Sequence, residues 1–224
     1  MIAWLAPGDP PGNFPPVERA LHDPEGLLAA GGDLCVERLI AAYRRGIFPW
    51  YSPGQPVLWW SPDPREVLFP HEFHVSRSLA RTLRTRGFEY RVDADFEAVI
   101  DACAAPRAAS PGTWITSDMR EAYVELHRRG IAHSHETWRG DRLLGGVYGV
   151  RLGAMFFGES MFSAERDASK AALAGLVRDC IADGTRMIDC QMPSGHLRSL
   201  GSRALPRAEF LERLGGAISV GATD

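Results

Sequence analysis

The chain has 224 residues, 45% hydrophobic and 24% charged, which is ordinary for a globular protein that can bury a sizeable core. Its formal net charge of −3 excludes a uniformly basic protein, so a nucleic-acid partner would need a local basic patch. No apolar run is long enough to cross a bilayer, and the four cysteines show neither CxxC pairing nor framework spacing. The N-terminus lacks the pattern of a signal peptide, so we expect a cytoplasmic protein with reduced thiols.

Proline, glycine and aromatic residues dominate the beginning of the chain. Up to Gly32 we expect extended, loop-like backbone, followed by a helix over Val36–Arg45 that ends at Gly46. A loop over Gly46–Tyr51 leads into a tryptophan and proline block over Val57–Arg65. The prolines forbid a long helix and fix the aromatic rings, which suits either a small core or a surface on which a base stacks.

Near residues 62–70 the composition changes from proline-rich to periodic. We therefore predict a small N-terminal domain over residues 1–63 and a second domain over residues 64–224. Helical periodicity in the second part predicts helices over Ser76–Arg86, Asp95–Ala104, Asp118–Arg129, Ala168–Asp183 and Arg207–Leu214. Strand patterns predict Phe88–Val92, Ile131–Arg139, Arg142–Leu152, Ala154–Phe162 and Arg186–Met192. Ser117 is the predicted N-cap of the helix Asp118–Arg129.

The three consecutive strands between residues 131 and 162 are joined by short turns, which predicts an antiparallel meander. Helices precede the meander, and a helix with a further strand follows it. This order is typical of acyltransferase-like domains, and the predicted fold class is α+β.

Arginines supply a candidate basic patch. The cluster comprises Arg77, Arg81, Arg84, Arg86 and Arg91, with Arg44 and Arg45 as an addition. Such a cluster fits a contact with nucleic-acid phosphates, although a charge run is more often only a solvated helix face.

Three short motifs favour other chemistries only weakly. His133 and His135 share a strand face, but no second cluster with ligand spacing follows, so we predict a polar strand face and no metal. Gly158-Glu159-Ser160-Met161-Phe162 lacks the second glycine of a nucleophile elbow. Arg142–Val147 half-matches a pyrophosphate loop for coenzyme A, yet it continues as a strand where that loop would open a helix.

Two carboxylates stand out. Glu159 follows Gly158 within an apolar strand, where an acid without a partner is costly. Alternation places Asp189 and Gln191 on one face of a later strand. If the two strands lie side by side, both acids reach one cleft, which could serve a glycosidase, bind a cation or assist an amine nucleophile.

Six motifs in order along the chain resemble the leucyl/phenylalanyl-tRNA–protein transferases. They are Gly26–Leu34, Arg45–Trp50, Trp59–Arg65, Gly112–Thr116, Phe157–Ser163 and Ile188–Gln191. Cys35 departs from the usual serine at a helix cap, and Val147 replaces a larger residue that can line the pocket.

The resemblance implies transfer of Leu, Phe or, less readily, Met from aminoacyl-tRNA to the N-terminal Arg or Lys of a protein. That transfer marks the acceptor for degradation through the N-degron pathway. The resemblance also implies a small N-terminal domain, a C-terminal domain like the acyl-CoA N-acyltransferases, no cofactor and no metal. We expect a monomer with no membrane contact.

The same resemblance implies roles for individual residues. Trp50 and Trp114 would flank the terminal adenosine of the tRNA. The walls of the aminoacyl pocket would be Tyr123, Phe156, Met161 and Ile188. Glu159, Asp189 and Gln191 would hold the acceptor amine or handle its proton. Two other interpretations remain open, namely a non-catalytic tRNA-binding module and a coenzyme A-dependent N-acetyltransferase.

Overall fold

The computed structural model describes residues 2–105 and 114–219, so the predicted motif residues Gly112 and Thr113 lie outside the described part. The described strands are β1 (Ala3–Leu5), β2 (Leu27–Gly31), β3 (Phe48–Pro49), β4 (Leu58–Trp60), β5 (Arg65–Leu68), β6 (Glu89–Val92), β7 (Ala132–Arg139), β8 (Arg142–Leu152), β9 (Met155–Ser163), β10 (Met187–Gln191) and β11 (Arg203–Leu205). The described α-helices are α1 (Val36–Tyr43), α2 (Arg77–Thr85), α3 (Phe96–Ala104), α4 (Ser117–Arg128), α5 (Ala168–Ala182), α6 (Gly195–Arg198) and α7 (Arg207–Ile218). Short 3-10 helices cover Val17–Arg19 and Pro70–Glu72.

These strands form two mixed sheets. The smaller sheet has the order β1-β2-β4-β3, with β1 and β2 parallel. The larger sheet has the order β11-β5-β10-β9-β8-β7-β6, in which β9 and β10 are the parallel pair. Mixed sheets combined with helices confirm the predicted α+β class.

The hydrophobic core lies on both faces of the larger sheet. One cluster contains Phe157 and Tyr148 with residues of α1, α3 and α4, and the other contains Phe156 and Val147 with residues of α5. Consecutive strand residues point to opposite faces, so neighbours along β8 and β9 divide between the two clusters. The first cluster also includes Trp59 of the smaller sheet, so the two sheets share a core. The domain boundary between residues 63 and 64 falls between β4 and β5 and stays a prediction.

The predicted meander is confirmed. β7, β8 and β9 pair antiparallel in this order, and their ends lie within one residue of the predicted ones. The helices α2, α3 and α5 also begin and end within one residue of the predicted bounds. In these segments the hydrophobic periodicity is sufficient to predict the type and ends of each element, because each element buries one face.

The N-terminal part departs from the prediction. β1 and β2 occupy a region expected to be loop-like, and β3 occupies part of the predicted loop Gly46–Tyr51. β4 and β5 also form inside or beside the proline block. Proline prevents long helices but is tolerated in edge strands, and Pro49 lies in β3 at the edge of its sheet.

Three helix ends also differ. The N-cap of α4 is Thr116, whose hydroxyl accepts from the Met119 N–H, so the prediction of Ser117 was wrong by one residue. α1 ends at Tyr43, two residues before the predicted end. α7 continues to Ile218 because its buried face continues to Ala217, and this packing outweighs the low helix propensity of two glycines.

Candidate active site

A cavity of about 660 Å³ lies between β8, β9, β10 and the helices α5 and α6. Its apolar wall comprises Val147, Met161, Leu173, Leu176 and Ile188. Glu159 and Gln191 add a carboxyl and an amide to the lining. A mostly apolar cavity with a few converging polar groups is the usual form of a small-molecule or active site.

The cavity follows from the way β9 and β10 separate. The two strands pair in parallel from Met187 to Asp189, which lies opposite Phe157. Beyond that point Gln191 pairs with β5 through an irregular register, and its φ of 55° lies in the left-handed region. Non-glycine residues in this region are strained and cluster at functional sites. The separation leaves Glu159 and Gln191 facing one another, with a Gln191 Nε2 to Glu159 Oε1 distance of 3.3 Å.

Two buried tyrosines, which do not line the cavity, form hydrogen bonds with the Glu159 carboxyl. Tyr43 on α1 lies 2.8 Å from Oε1, and Tyr123 on α4 lies 2.8 Å from Oε2. The two tyrosine hydroxyl oxygens are themselves 2.5 Å apart. Burial raises the pKa of Glu159 to about 7, although the tyrosine hydrogen bonds act in the opposite direction. This carboxyl can therefore exchange a proton near neutral pH.

The Asp189 carboxylate has a different environment. It is fully buried, and the Arg65 guanidinium donates to both of its oxygens, from Nε at 2.8 Å and from Nη2 at 2.6 Å. Asp189 Oδ1 also accepts from the backbone N–H of Gln191 at 3.0 Å. Asp189 thus fixes the strained residue that faces the cavity and does not itself line the cavity.

The two tryptophans lie on neighbouring segments outside the cavity lining. Trp50 follows β3 and is 41% exposed, and Trp114 is partly buried against the first core cluster. The Tyr51 hydroxyl lies 3.0 Å from Thr116 Oγ1, and this contact ties the two segments together. The Trp50 ring is 5.6 Å from that of Trp60, whose Nε1 donates to the Trp50 carbonyl.

The predicted site residues thus fall into three groups. Glu159, Gln191, Met161 and Ile188 line the cavity. Asp189, Tyr123 and Phe156 are fully buried behind the lining. Trp50 and Trp114 lie outside it on the segments joined through Tyr51.

Sequence reasoning assigned no role to two important residues. Tyr43 was only one residue of the predicted helix Val36–Arg45, and Arg65 was only the end of the tryptophan and proline block. A buried tyrosine hydroxyl usually needs a partner, and this was the available signal for Tyr43. No local pattern indicates that Arg65 pairs with a residue 124 positions away.

The weak motifs have structural explanations. His133 contacts Asp93 and His135 contacts Tyr90, each through Nδ1. Among residues 2–105 and 114–219 there is no group of three or more His, Cys, Asp or Glu that could hold a metal ion. A Cβ at Gly145 would lie 2.6 Å from the Ala168 carbonyl carbon, so this glycine permits α5 to pack closely on β8.

Three of the patch arginines lie on the exposed surface of α2. Arg77, Arg81 and Arg84 form no ion pair with any carboxylate in the described part of the chain. Arg86 and Arg91 pair with Glu165 and Glu89, respectively. Arg45 instead donates to backbone carbonyls of the N-terminal segment. The candidate phosphate-binding surface is therefore smaller than the sequence cluster.

Comparison with known proteins identifies the family. A sequence model described as leucyl/phenylalanyl-tRNA protein transferase matches residues 67–215, and one for the N-terminal domain of the same family matches residues 32–63. The chain belongs to this family. Members of the leucyl/phenylalanyl-tRNA–protein transferase family are aminoacyltransferases, and this chain is one of them.

Individual members of the family align with nearly the whole chain at high sequence identity. The leucyl/phenylalanyl-tRNA–protein transferase of Pseudomonas entomophila is 59% identical over 214 residues, which are 96% of this chain and 94% of that protein. The transferase of Azotobacter vinelandii is 61% identical over 202 residues, covering 90% and 89%. Among solved structures, L-PGS from Bacillus licheniformis matches with a TM-score of 0.40 and 10% identity over 75% of this chain. The chain spans about half of that structure, 53% of its length.

Proposed function

We propose that the protein transfers Leu, Phe or, less readily, Met from aminoacyl-tRNA to the α-amine of a protein that begins with Arg or Lys. The observation that carries this proposal is that an apolar wall and the polar corner formed by Glu159 and Gln191 line one cavity. The apolar wall suits the donor's side chain, and the polar corner suits a cationic acceptor. The family match supports the same assignment.

On the donor side, Met161 and Ile188 contact the leucyl or phenylalanyl side chain, together with the other apolar lining residues. Phe156 and Tyr123 support this wall from behind. An apolar pocket distinguishes ligands that differ by one methylene by only about 1–3 kcal/mol, so several apolar amino acids are accepted. Trp50 and Trp114 flank the terminal adenosine, and each stacking contact contributes roughly 1–3 kcal/mol.

On the acceptor side, Glu159 pairs with the cationic N-terminal residue. The Gln191 amide nitrogen already donates to Glu159, which leaves the Gln191 carbonyl oxygen to accept from the attacking amine. Asp189 holds the Gln191 backbone and thereby positions this amide. A free α-amine has a pKa of about 7.7–8.0, so a useful fraction is neutral and only modest help with its proton is needed.

The reaction is aminolysis of an ester. The amine nitrogen attacks the ester carbonyl carbon, the new C–N bond forms, and the C–O bond to the ribose breaks. One amine proton is transferred overall to the ribose oxygen that leaves. The ester is already activated, so alignment of the two substrates supplies most of the acceleration.

The remainder of the tRNA contacts the exposed arginines of α2. Phosphate contacts of this kind supply affinity that falls with added salt and carry little sequence information. The seven-stranded sheet is of the acyl-CoA N-acyltransferase type, and the meander, α5 and the parallel strand β10 support this assignment.

We also propose that the protein is a cytoplasmic monomer, that residues 1–63 and 64–224 are its two domains, and that it needs no cofactor or metal. No helix in residues 2–105 or 114–219 is long and apolar enough to cross a membrane. Marking of the acceptor for degradation through the N-degron pathway would follow from the transferred residue.

The test combines the protein, leucyl-tRNA and a peptide that begins with Arg, with mass spectrometry of the peptide. We expect the mass of one added leucine, and no addition to a matched peptide that begins with Ala. Equal affinity for charged and uncharged tRNA without turnover would instead support a non-catalytic RNA-binding module. Binding of acetyl-CoA in calorimetry, with transfer of an acetyl group, would support an acetyltransferase.

A further inference from the structure

The contacts among the side chains of Tyr43, Tyr123 and Glu159 need more hydrogen-bond protons than two tyrosines can supply. Three contacts join them, namely Tyr43–Tyr123 at 2.5 Å, Tyr43–Glu159 at 2.8 Å and Tyr123–Glu159 at 2.8 Å. Each tyrosine can donate once, and an ionised carboxylate can only accept. With an ionised Glu159, two protons would serve three contacts, so one pair of oxygens would meet without a hydrogen between them.

A neutral carboxyl supplies the missing proton. Glu159 Oε1 accepts from the Gln191 amide, so the proton belongs on Oε2, the oxygen that faces Tyr123. Glu159 then donates to Tyr123, Tyr123 donates to Tyr43, and Tyr43 donates to Glu159 Oε1. In this closed ring each of the three groups donates once within the ring, so the hydroxyls of Tyr43 and Tyr123 both have partners.

We propose that Tyr43 and Tyr123 are positioning residues that form a complete hydrogen-bond ring with Glu159 as a neutral acid in the free protein, and that a bound cationic group displaces its proton to solvent. The second half rests on the proposed function, because the cation is the N-terminal Arg or Lys of the acceptor. In this step the O–H bond of the Glu159 carboxyl breaks, its proton passes to the buffer, and the carboxylate pairs with the cation.

The surroundings of Glu159 are consistent with this assignment. The titratable and charged groups that face it are Tyr43 of α1, Tyr123 of α4, Tyr148 of β8, Asp189 of β10 and Arg65 of β5. Arg65 is paired with Asp189, so its attraction for an ionised Glu159 is opposed by repulsion from the Asp189 carboxylate. Burial raises its pKa to about 7 and Asp189 contributes in the same direction, and these effects outweigh the two tyrosine hydrogen bonds, which lower it.

The biological consequence is selectivity by charge. A neutral Glu159 avoids leaving an unpaired negative charge at the cavity when no acceptor is bound. A cationic residue gains the full attraction only after the carboxyl has lost its proton. Acceptor binding should therefore release a proton and should weaken as the pH falls below about 7.

The first test does not depend on the proposed function. It compares the unfolding equilibrium of the wild type with that of Glu159→Gln across pH, because a glutamine amide imitates the neutral acid in the ring. Between pH 4.5 and 7 the folded wild type keeps a proton that the unfolded chain has lost. The wild type should therefore lose stability relative to the variant by about tenfold in the unfolding constant per pH unit, with no further change above pH 7.

A matched control is Glu121→Gln, which changes an exposed glutamate on α4 and should leave no such slope. An unchanged difference between the wild type and Glu159→Gln from pH 4.5 to 7 would overturn the neutral acid. Infrared spectroscopy of the wild type gives a second readout that needs no variant to fold. A neutral carboxyl band that disappears as the pH rises through 7 is expected, and its absence at pH 6 would overturn the proposal.

Tyr43→Phe and Tyr123→Phe test the positioning role. Each should shift the frequency of the Glu159 carboxyl band, because each removes one hydrogen bond of the ring. An unshifted band in both variants would show that the tyrosines do not hold the acid.

The last arm measures proton release when an Arg-initiated peptide binds at pH 6, by calorimetry in two buffers of different ionisation enthalpy. Release of close to one proton by the wild type and none by Glu159→Gln is expected. Binding without release would overturn the displacement step. Failure of any peptide to bind would contradict the proposed function and hence the displacement step, while the unfolding and infrared results would still decide the charge of Glu159.

Discussion

Glu159 and Asp189 lie on the neighbouring parallel strands β9 and β10, yet they have opposite environments. The Arg65 guanidinium donates to both oxygens of Asp189, and Asp189 does not line the cavity. Glu159 meets hydroxyl groups and an amide, and it lines the cavity. The comparison shows that burial alone does not decide what an acid does. The partners differ in charge: Asp189 pairs with a guanidinium, whereas Glu159 has neutral partners and burial raises its pKa to about 7.

Removal of the guanidinium should have the largest effect, because it leaves Asp189 as a buried charge without a partner. Arg65→Met should lower the free energy of unfolding by about 3–5 kcal/mol in urea denaturation. The double variant Arg65→Met, Asp189→Leu is the control, and it should recover most of that loss because no buried charge remains. A loss below about 1 kcal/mol in the single variant would contradict the fixed pair.

Asp189→Asn tests the positioning of Gln191. The variant keeps the size of the side chain but disturbs the pair with Arg65, which moves the Gln191 amide away from the attacking amine. A misplacement of this kind should lower kcat by about 100-fold, with the KM for the acceptor peptide nearly unchanged. Steady-state kinetics with varied peptide separate the two parameters. A rise in KM alone would assign Asp189 to acceptor binding.

Glu159→Gln should have the opposite effect on the two kinetic parameters: KM for the acceptor peptide should change more than kcat. Loss of the carboxylate removes a charged hydrogen-bond partner of the acceptor, worth about 1.5–3 kcal/mol, so the KM for an Arg-initiated peptide should rise at least about tenfold. The effect on kcat should be much smaller than that of Asp189→Asn. Equal losses of kcat in the two variants would remove the proposed division of roles between the acids.

An exposed ion pair provides the smallest effect and a reference for the buried pair. Arg120 contacts Glu97 and Asp101 on the surface at distances of 2.9 and 2.5 Å. Arg120→Ala should lower the free energy of unfolding by less than about 1 kcal/mol, because water and salt screen the charges. A loss as large as that of Arg65→Met would mean that the loss of stability on breaking an ion pair depends on the contact distance and not on burial.

The sequence predicted those parts of the fold in which each segment buries one face. β7, β8 and β9 and the helix α5 follow directly from their periodicity. The short strands near Pro49 and Arg65 were missed because they consist of two to four residues and periodicity needs a longer segment. Their strand conformation depends on pairing with distant parts of the chain.

The site was predictable to a similar extent. Glu159 was predicted as a site residue because it is an acid within an apolar strand. Asp189 and Gln191 were predicted because strand alternation places them on one face of β10. Periodicity gives the face on which a side chain lies but not its partner. For that reason neither the pair of Asp189 with Arg65 nor the contact of Tyr43 with a residue 116 positions away could be derived.

The most direct test of the proposed roles of Gln191 and Glu159 is a structure of the protein with an aminoacyl-adenosine analogue and an Arg-initiated peptide. In this complex the acceptor amine should lie within hydrogen-bonding distance of the Gln191 carbonyl oxygen, and the cationic side chain should pair with Glu159. Asp189 should remain bound to Arg65. A complex in which Asp189 has left Arg65 and contacts the amine, with Glu159 distant from the peptide, would contradict these roles.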